Sequence, residues 1–134
     1  MISRALILDN DKILLIHRFK YGREYFVLPG GHIEEGESEE EALVREIKEE
    51  TNLDARIDKK LWTLKNPLDN SENHFFLVTK FSGNLQLGGP ELERNCEEDK
   101  HIFEWHSLNE VSELNLVPEP LKKKIIEFVA LRHS

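Results

Sequence analysis

At 134 residues the chain is long enough for one domain with a core of its own, without disulfide or metal staples. Its 26 acidic residues against 18 basic ones give a net charge of −8, which argues against a general surface for duplex nucleic acid or for an anionic membrane. Cys96 is the single cysteine, so no intramolecular disulfide can form, and no apolar run approaches the length of a membrane span; a cytoplasmic protein is expected.

Ile2–Leu8 and Lys12–Phe19 are apolar, partly β-branched runs around Asp9-Asn10-Asp11. That is the pattern of a hairpin whose strands are covered on both faces. Arg18, Lys20 and Arg23 gather before a third run, Tyr25–Leu28, and taken singly such charges read as solvated. Pro29-Gly30-Gly31 ends that run. Glycines there let the backbone turn sharply or approach a ligand, although the tripeptide by itself is an ordinary turn.

A helix follows. Ser38 has the chemistry of an N-cap, Glu41 completes a capping box, and Asn52 suits the left-handed residue that closes a helix. At about 100° per residue with Glu46 at zero, Glu50 falls near +40° and Glu49 near −60°, while Leu43, Ile47 and Val44 follow at about +60°, +100° and +160°. An apolar stripe facing a core is thus bordered by three carboxylates, with Lys48 and Glu41 on the solvated side. Carboxylates three and four apart repel, and Glu49 and Glu50 sit at the negative end of the helix dipole. Arg45 is expected to be too little for these three and Glu37 together. A bound divalent cation is then the economical counter-charge, and clustered carboxylate oxygens suit Mg²⁺ or Mn²⁺ rather than zinc.

Ala55–Leu64 and Asn73–Phe81 read as further strands, followed by a loop through Gly83, Gly88, Gly89 and Pro90 and a charge run, Glu91–Lys100. His101–Trp105 reads as a short strand with Trp105 in the core. Pro118–Arg132 reads as an amphipathic helix with Leu121, Ile125, Phe128 and Val129 inward and Lys122-Lys123-Lys124 largely outside. The six histidines show no paired metal spacing, so a zinc centre has no support. Among the aromatics, Tyr25, Phe26, Trp62, Phe75 and Phe76 are able to stack a base, though each is more commonly core. The order of elements gives an α+β fold, a mixed β-sheet sandwiched between α-helices.

The stretch Gly31–Leu53 resembles the signature of the Nudix hydrolases. Gly31, Glu37, Arg45, Glu46, Ile47, Glu49, Glu50 and Leu53 stand in the family's register, preceded by Leu28-Pro29-Gly30, with Asn52 where Gly is usual. A gapped match over 23 residues is far rarer than an acidic helix face. The resemblance implies a single Nudix domain over residues 1–134 with the α/β/α sandwich fold. It implies that Glu46, Glu49 and Glu50 bind Mg²⁺ or Mn²⁺, helped by the Gly31 carbonyl, and that one of them or a loop carboxylate activates water. Glu37 is expected to pair with Arg45 and hold these ligands in place. A further ligand or base is expected from the later loop, with Glu97 and Glu98 as candidates, and Arg18 would end its strand beside the Gly-rich loop as a substrate contact together with Phe26. The implied reaction is metal-dependent cleavage of a pyrophosphate linkage in a nucleoside diphosphate joined to another moiety, a small-molecule nucleotide partner. The oligomeric state stays open, a homodimer included. The alternative is a non-catalytic domain that binds a nucleotide derivative, whose usual mark is eroded signature glutamates; here they are intact. Isomerase chemistry on an isoprenoid diphosphate would need a reactive cysteine ahead of the signature, and Cys96 lies after it.

Overall fold

The computed structural model describes residues 1–85 and 99–132. Among these residues seven strands, β1 (Ile2–Asp9), β2 (Lys12–Lys20), β3 (Arg23–Val27), β4 (Gly30–His32), β5 (Asp54–Lys65), β6 (Glu72–Ser82) and β7 (Asp99–Ser107), are accompanied by two helices, α1 (Glu39–Thr51) and α2 (Glu119–Arg132). A 3₁₀ helix spans Leu108–Glu113. The sheet runs β3-β2-β1-β6-β5, with β4 added to β1 and β7 to β2. Only the β1–β6 pairing among these is parallel, so the sheet is mixed.

Both faces of the sheet are covered, which is why Ala5, Leu6, Ile7 and Leu8 of β1 and Ile13, Leu14, Leu15 and Ile16 of β2 are apolar and buried. Ala5, Ile7, Leu14, Phe76 and Val78 pack with Leu43, Ile47 and Leu53 of the α1 layer. On the other face Leu6, Leu8, Ile13, Leu15 and Phe75 pack with Leu108 and Val111 of the 3₁₀ helix and with Leu121 and Ile125 of α2. Each such side chain, removed from water, contributes on the order of 1.5–3 kcal/mol.

β1 changes neighbour along its length. Leu8 and Asp9 pair with β2, whereas Ile2, Ser3 and Arg4 pair with His32, Gly31 and Gly30 of β4. The sheet therefore splits between β1 and β2, and the Leu28-Pro29-Gly30 turn crosses the split, with Pro29 accepting the Ala5 N–H at 2.9 Å. His101–Trp105 is part of a longer strand than its composition suggests, because β7 pairs with β2 from Lys12↔Ser107 to Lys20↔Asp99.

Helix α1 begins with the expected capping box, Ser38 accepting from the Glu41 N–H and the Glu41 side chain from the Ser38 N–H. It closes on Asn52 at φ 67°, ψ 8°. Its buried residues are Ala42, Leu43, Ile47 and Thr51, while Val44 is 39% exposed. The apolar face expected to run from Leu43 to Val44 is thus rotated toward Ala42, whose small side chain fits beneath the sheet. Since Ala42 lies near −40° on the wheel and Thr51 near +140°, Glu46 and Glu50 fall inside the buried arc rather than along its border.

Asn52 does more than close the helix: its side-chain amide donates to the Asn84 carbonyl at 3.0 Å. Asn52→Gly should therefore shift stability by less than about 1 kcal/mol, the easier left-handed backbone offsetting the lost hydrogen bond. Asn52→Val should cost about 1–3 kcal/mol, because a β-branched residue is strained at that φ. Thermal midpoints of the two variants measured side by side check this, and equal midpoints would mean that the left-handed cap is not needed.

Candidate active site

The split between β1 and β2 opens as a cleft of about 490 Å³ lined by two kinds of residue. At one end stand Gly30, Gly31, His32, Glu46, Glu49 and Glu50; at the other, Ile16, Arg18, Tyr25, Val27 and His101, with Arg4 lining the same space. The residues of the two ends are scattered along the chain from Ile16 to His101, and strand pairing brings them together.

The acidic end is built by α1 docking against β4. Gly30 donates its N–H to Glu50 Oε1 at 3.0 Å, tying the last turn of the helix to the turn after β3. At Gly31 a Cβ would lie 2.5 Å from the carboxylate carbon of Glu46, so only glycine leaves that carboxylate room against the backbone. The carboxylates of Glu46 and Glu50 are thus held against the Gly30-Gly31 backbone, and carboxylate oxygens are the donors a hard divalent cation takes. As the residues stand, no group of three or more histidine, cysteine, aspartate or glutamate side chains among the described residues is gathered closely enough to hold a metal.

Arg45 accounts for part of that spacing. Its Nε and Nη2 donate to Glu37 at 2.7 and 2.9 Å, a two-pronged pairing, while Nη2 also reaches the His32 carbonyl at 3.2 Å. Its Nη1 donates to Glu46 at 3.0 Å and to Glu49 at 3.2 Å. One guanidinium thus reaches Glu37 and two of the three arc carboxylates, Glu46 and Glu49, but not Glu50. The Glu49 contact is the weakest of these, since that side chain is 55% exposed against 19% for Glu37. The Arg45 guanidinium, aided by the Glu34 N–H, holds the Glu37 carboxyl below the usual carboxylate range. In return Glu37, and after it Glu46, hold Arg45 above its ordinary value against the opposing effect of burial.

The far end of the cleft is a row across three strands. Arg18 stands opposite Tyr25 of β3 and His101 of β7. The guanidinium carbons of Arg18 and Arg23 lie 5.8 and 5.7 Å from the centre of the Tyr25 ring. Arg18 therefore stands where it was expected, in the cleft. Phe26 does not: successive strand residues face opposite sides. Phe26 is buried in the core beneath the 3₁₀ helix, stacked on His17 with ring centres 4.2 Å apart. Of the five aromatics able to stack a base only Tyr25 reaches the cleft, Phe75 and Phe76 being fully buried and Trp62 packing on Phe75 and Phe128. Trp105 lies against the α1-side core, stacked on Phe81. Glu97 and Glu98 lie outside the described residues.

Beneath Phe26 the histidines form a separate chain of contacts. His17 bridges Glu24 and Glu104 at 2.6 and 2.8 Å, and His106 bridges Glu104 and Glu110 at 2.7 and 3.3 Å. Burial pushes the Glu104 carboxyl up, but its hydrogen bonds with the two rings outweigh that and leave it below the usual range.

Arg4 and His101 are among the cleft residues to which the sequence assigns no role. Arg4 carried a signal: it is the only charged residue between Met1 and Leu8, in a strand covered on both faces. His101 carried none, because its place depends on the pairing of β7 with β2.

Residues 2–130 match the model of the NUDIX domain, and the protein belongs to that family. It is a hydrolase of the Nudix type. The ADP-ribose pyrophosphatase of Methanocaldococcus jannaschii is 33% identical over 124 residues, which cover 89% of this chain and 68% of that protein. A Bacillus subtilis protein named "Putative 8-oxo-dGTP diphosphatase" is 36% identical over 83 residues, 62% of this chain and 54% of that one. The solution structure of the Escherichia coli ORF135 protein superposes with a TM-score of 0.77 at 27% identity, covering 98% of this chain and 89% of that one. Among the described residues no helix is long and apolar enough to cross a membrane.

Proposed function

We propose that this protein hydrolyses a pyrophosphate linkage in a nucleoside diphosphate joined to another moiety, using Mg²⁺ or Mn²⁺. The observation that carries the reading is the two-ended cleft: Glu46, Glu49, Glu50 and the Gly30-Gly31 backbone at one end, Arg18, Tyr25 and His101 at the other. A net charge of −8 makes such a local arrangement necessary if a polyanion is to be bound at all. ADP-ribose and 8-oxo-dGTP, which appear in the names of two relatives, are both nucleoside diphosphates carrying a further group.

In this reading Glu46, Glu49, Glu50 and the Gly31 carbonyl hold the cation, and Glu37 fixes Arg45, which in turn orients Glu46. A divalent cation so held supplies charge neutralisation at the phosphate oxygens and makes phosphorus open to attack. A carboxylate of the same end takes the proton of the attacking water. Tyr25 offers its ring to the base, and Arg18 and His101 offer donors to the anionic or polar edge of the substrate.

Turnover should be measured with a panel of nucleoside triphosphates, oxidised nucleotides, nucleotide sugars, dinucleoside polyphosphates and ADP-ribose, with millimolar Mg²⁺ or Mn²⁺ and with excess EDTA. Hydrolysis of at least one of them that disappears with chelator is expected. Full activity in EDTA, or no turnover of any member, would overturn the reading.

A further inference from the structure

Arg4 is an arginine in a strand that is otherwise core. It lines the cleft together with Glu46 and Glu50, and its Nη1 donates to the Leu28 carbonyl at 3.0 Å, which fixes the guanidinium in the split of the sheet. Its partner across the β1–β4 ladder is Gly30, the same residue whose N–H holds Glu50 Oε1 at 3.0 Å. The Glu50 carboxylate is therefore anchored directly beside the Arg4–Gly30 pair. Arg45 holds Glu46 and Glu49 from the helix side. The cleft lined by Glu46 and Glu50 is thus also lined by the guanidinium of Arg4 from β1, while that of Arg45 reaches Glu46 from their own helix.

We propose that Arg4 is a resident counter-cation of the Glu46–Glu50 end of the cleft, a positioning residue that weakens the binding of a free divalent cation there. This rests on the hydrolase reading. Burial lowers the proton affinity of Arg4, and Glu50 and then Glu46 are the carboxylates that oppose this effect. Arginine nonetheless stays charged, so the charge is permanent at any pH at which the protein is folded. A fixed positive charge lining the same cleft as these carboxylates repels an incoming dication. At the effective dielectric of such sites, a separation of several ångströms amounts to on the order of tenfold or more in affinity. A residue that only supported the fold would have no means of making binding tighter when removed. Tighter binding is therefore the outcome that marks this role.

The experiment is Mn²⁺ titration of the substrate-free protein, by electron paramagnetic resonance of the free ion or by calorimetry, for wild type, Arg4→Met and Arg4→Lys. Arg4→Met should bind Mn²⁺ on the order of tenfold or more tightly than wild type and show a larger rise in thermal midpoint on adding Mn²⁺. Arg4→Lys, which keeps the charge, should stay within about threefold of wild type. If the methionine variant does not fold, Arg4→Gln, which still donates to the Leu28 carbonyl, takes its place. Unchanged or weaker Mn²⁺ binding in the folded charge-free variant overturns the proposal and leaves the hydrolase reading intact. A wild-type protein that binds no Mn²⁺ and hydrolyses no substrate of the panel overturns both.

Discussion

Glu50→Gln should lower pyrophosphate hydrolysis by about a hundredfold to a thousandfold or more while leaving the metal-free fold within about 1 kcal/mol of wild type. The activity loss follows from removing one anionic oxygen donor from the end of the cleft proposed to hold the cation. The small stability change follows from two opposing effects. Glutamine keeps a carbonyl oxygen able to accept the Gly30 N–H, and the repulsion between Glu46 and Glu50, four residues apart, is relieved by a few tenths of a kcal/mol. Against this, Arg4 loses one of the two carboxylates that balance it. Thermal unfolding in EDTA and turnover with Mg²⁺, on the same preparations, separate the two quantities. A loss of 3–5 kcal/mol in the metal-free protein, of the order expected when a buried charge network is broken, would make Glu50 a structural residue and remove it from the catalytic set.

Two adjacent glycines should fail in different ways. Gly30 has φ 143°, and a Cβ there would run into the Ser3 carbonyl oxygen and lie 2.9 Å from the Arg4 Cα. These are backbone atoms of the central strand and cannot step aside. Gly30→Ala should therefore cost about 3 kcal/mol or more, combining backbone strain with overpacking. At Gly31 the obstructing atoms belong to the carboxylate of Glu46, the far end of a flexible side chain. Gly31→Ala should leave stability within about 1 kcal/mol. It displaces Glu46 from its place against the backbone, however, and a displacement of about 1 Å at such a group costs on the order of a hundredfold in rate. Denaturant unfolding and Mn²⁺ titration of both variants provide the comparison. A Gly31→Ala protein with wild-type Mn²⁺ affinity and turnover would show that the packing of Glu46 on Gly31 has no part in the site.

The start and the stop of the helix that carries the acidic end were legible from its own residues. Ser38, Glu41 and Asn52 act within three or four positions of the backbone groups they satisfy, so the start and stop of α1 are local facts. The spacing of Glu46, Glu49 and Glu50 is equally local, as are the hairpin of β1 and β2 and the outline of a mixed sheet between helices. What lay beyond the sequence were rotations and pairings. Which arc of α1 turns inward was decided by its docking on the sheet, which buries Ala42 and leaves Val44 exposed. Alternation along β3 says that Tyr25 and Phe26 face opposite sides, but only the docking of β3 on β2 decides which of them meets the cleft. Arg4 and His101 join the site because β1 leaves β2 for β4 and because β7 pairs with β2, contacts made between residues far apart in the chain. Capping and helical spacing are set by neighbours in sequence. The floor and far wall of the cleft are set by strand register, which the burial of both sheet faces selects and no single segment encodes.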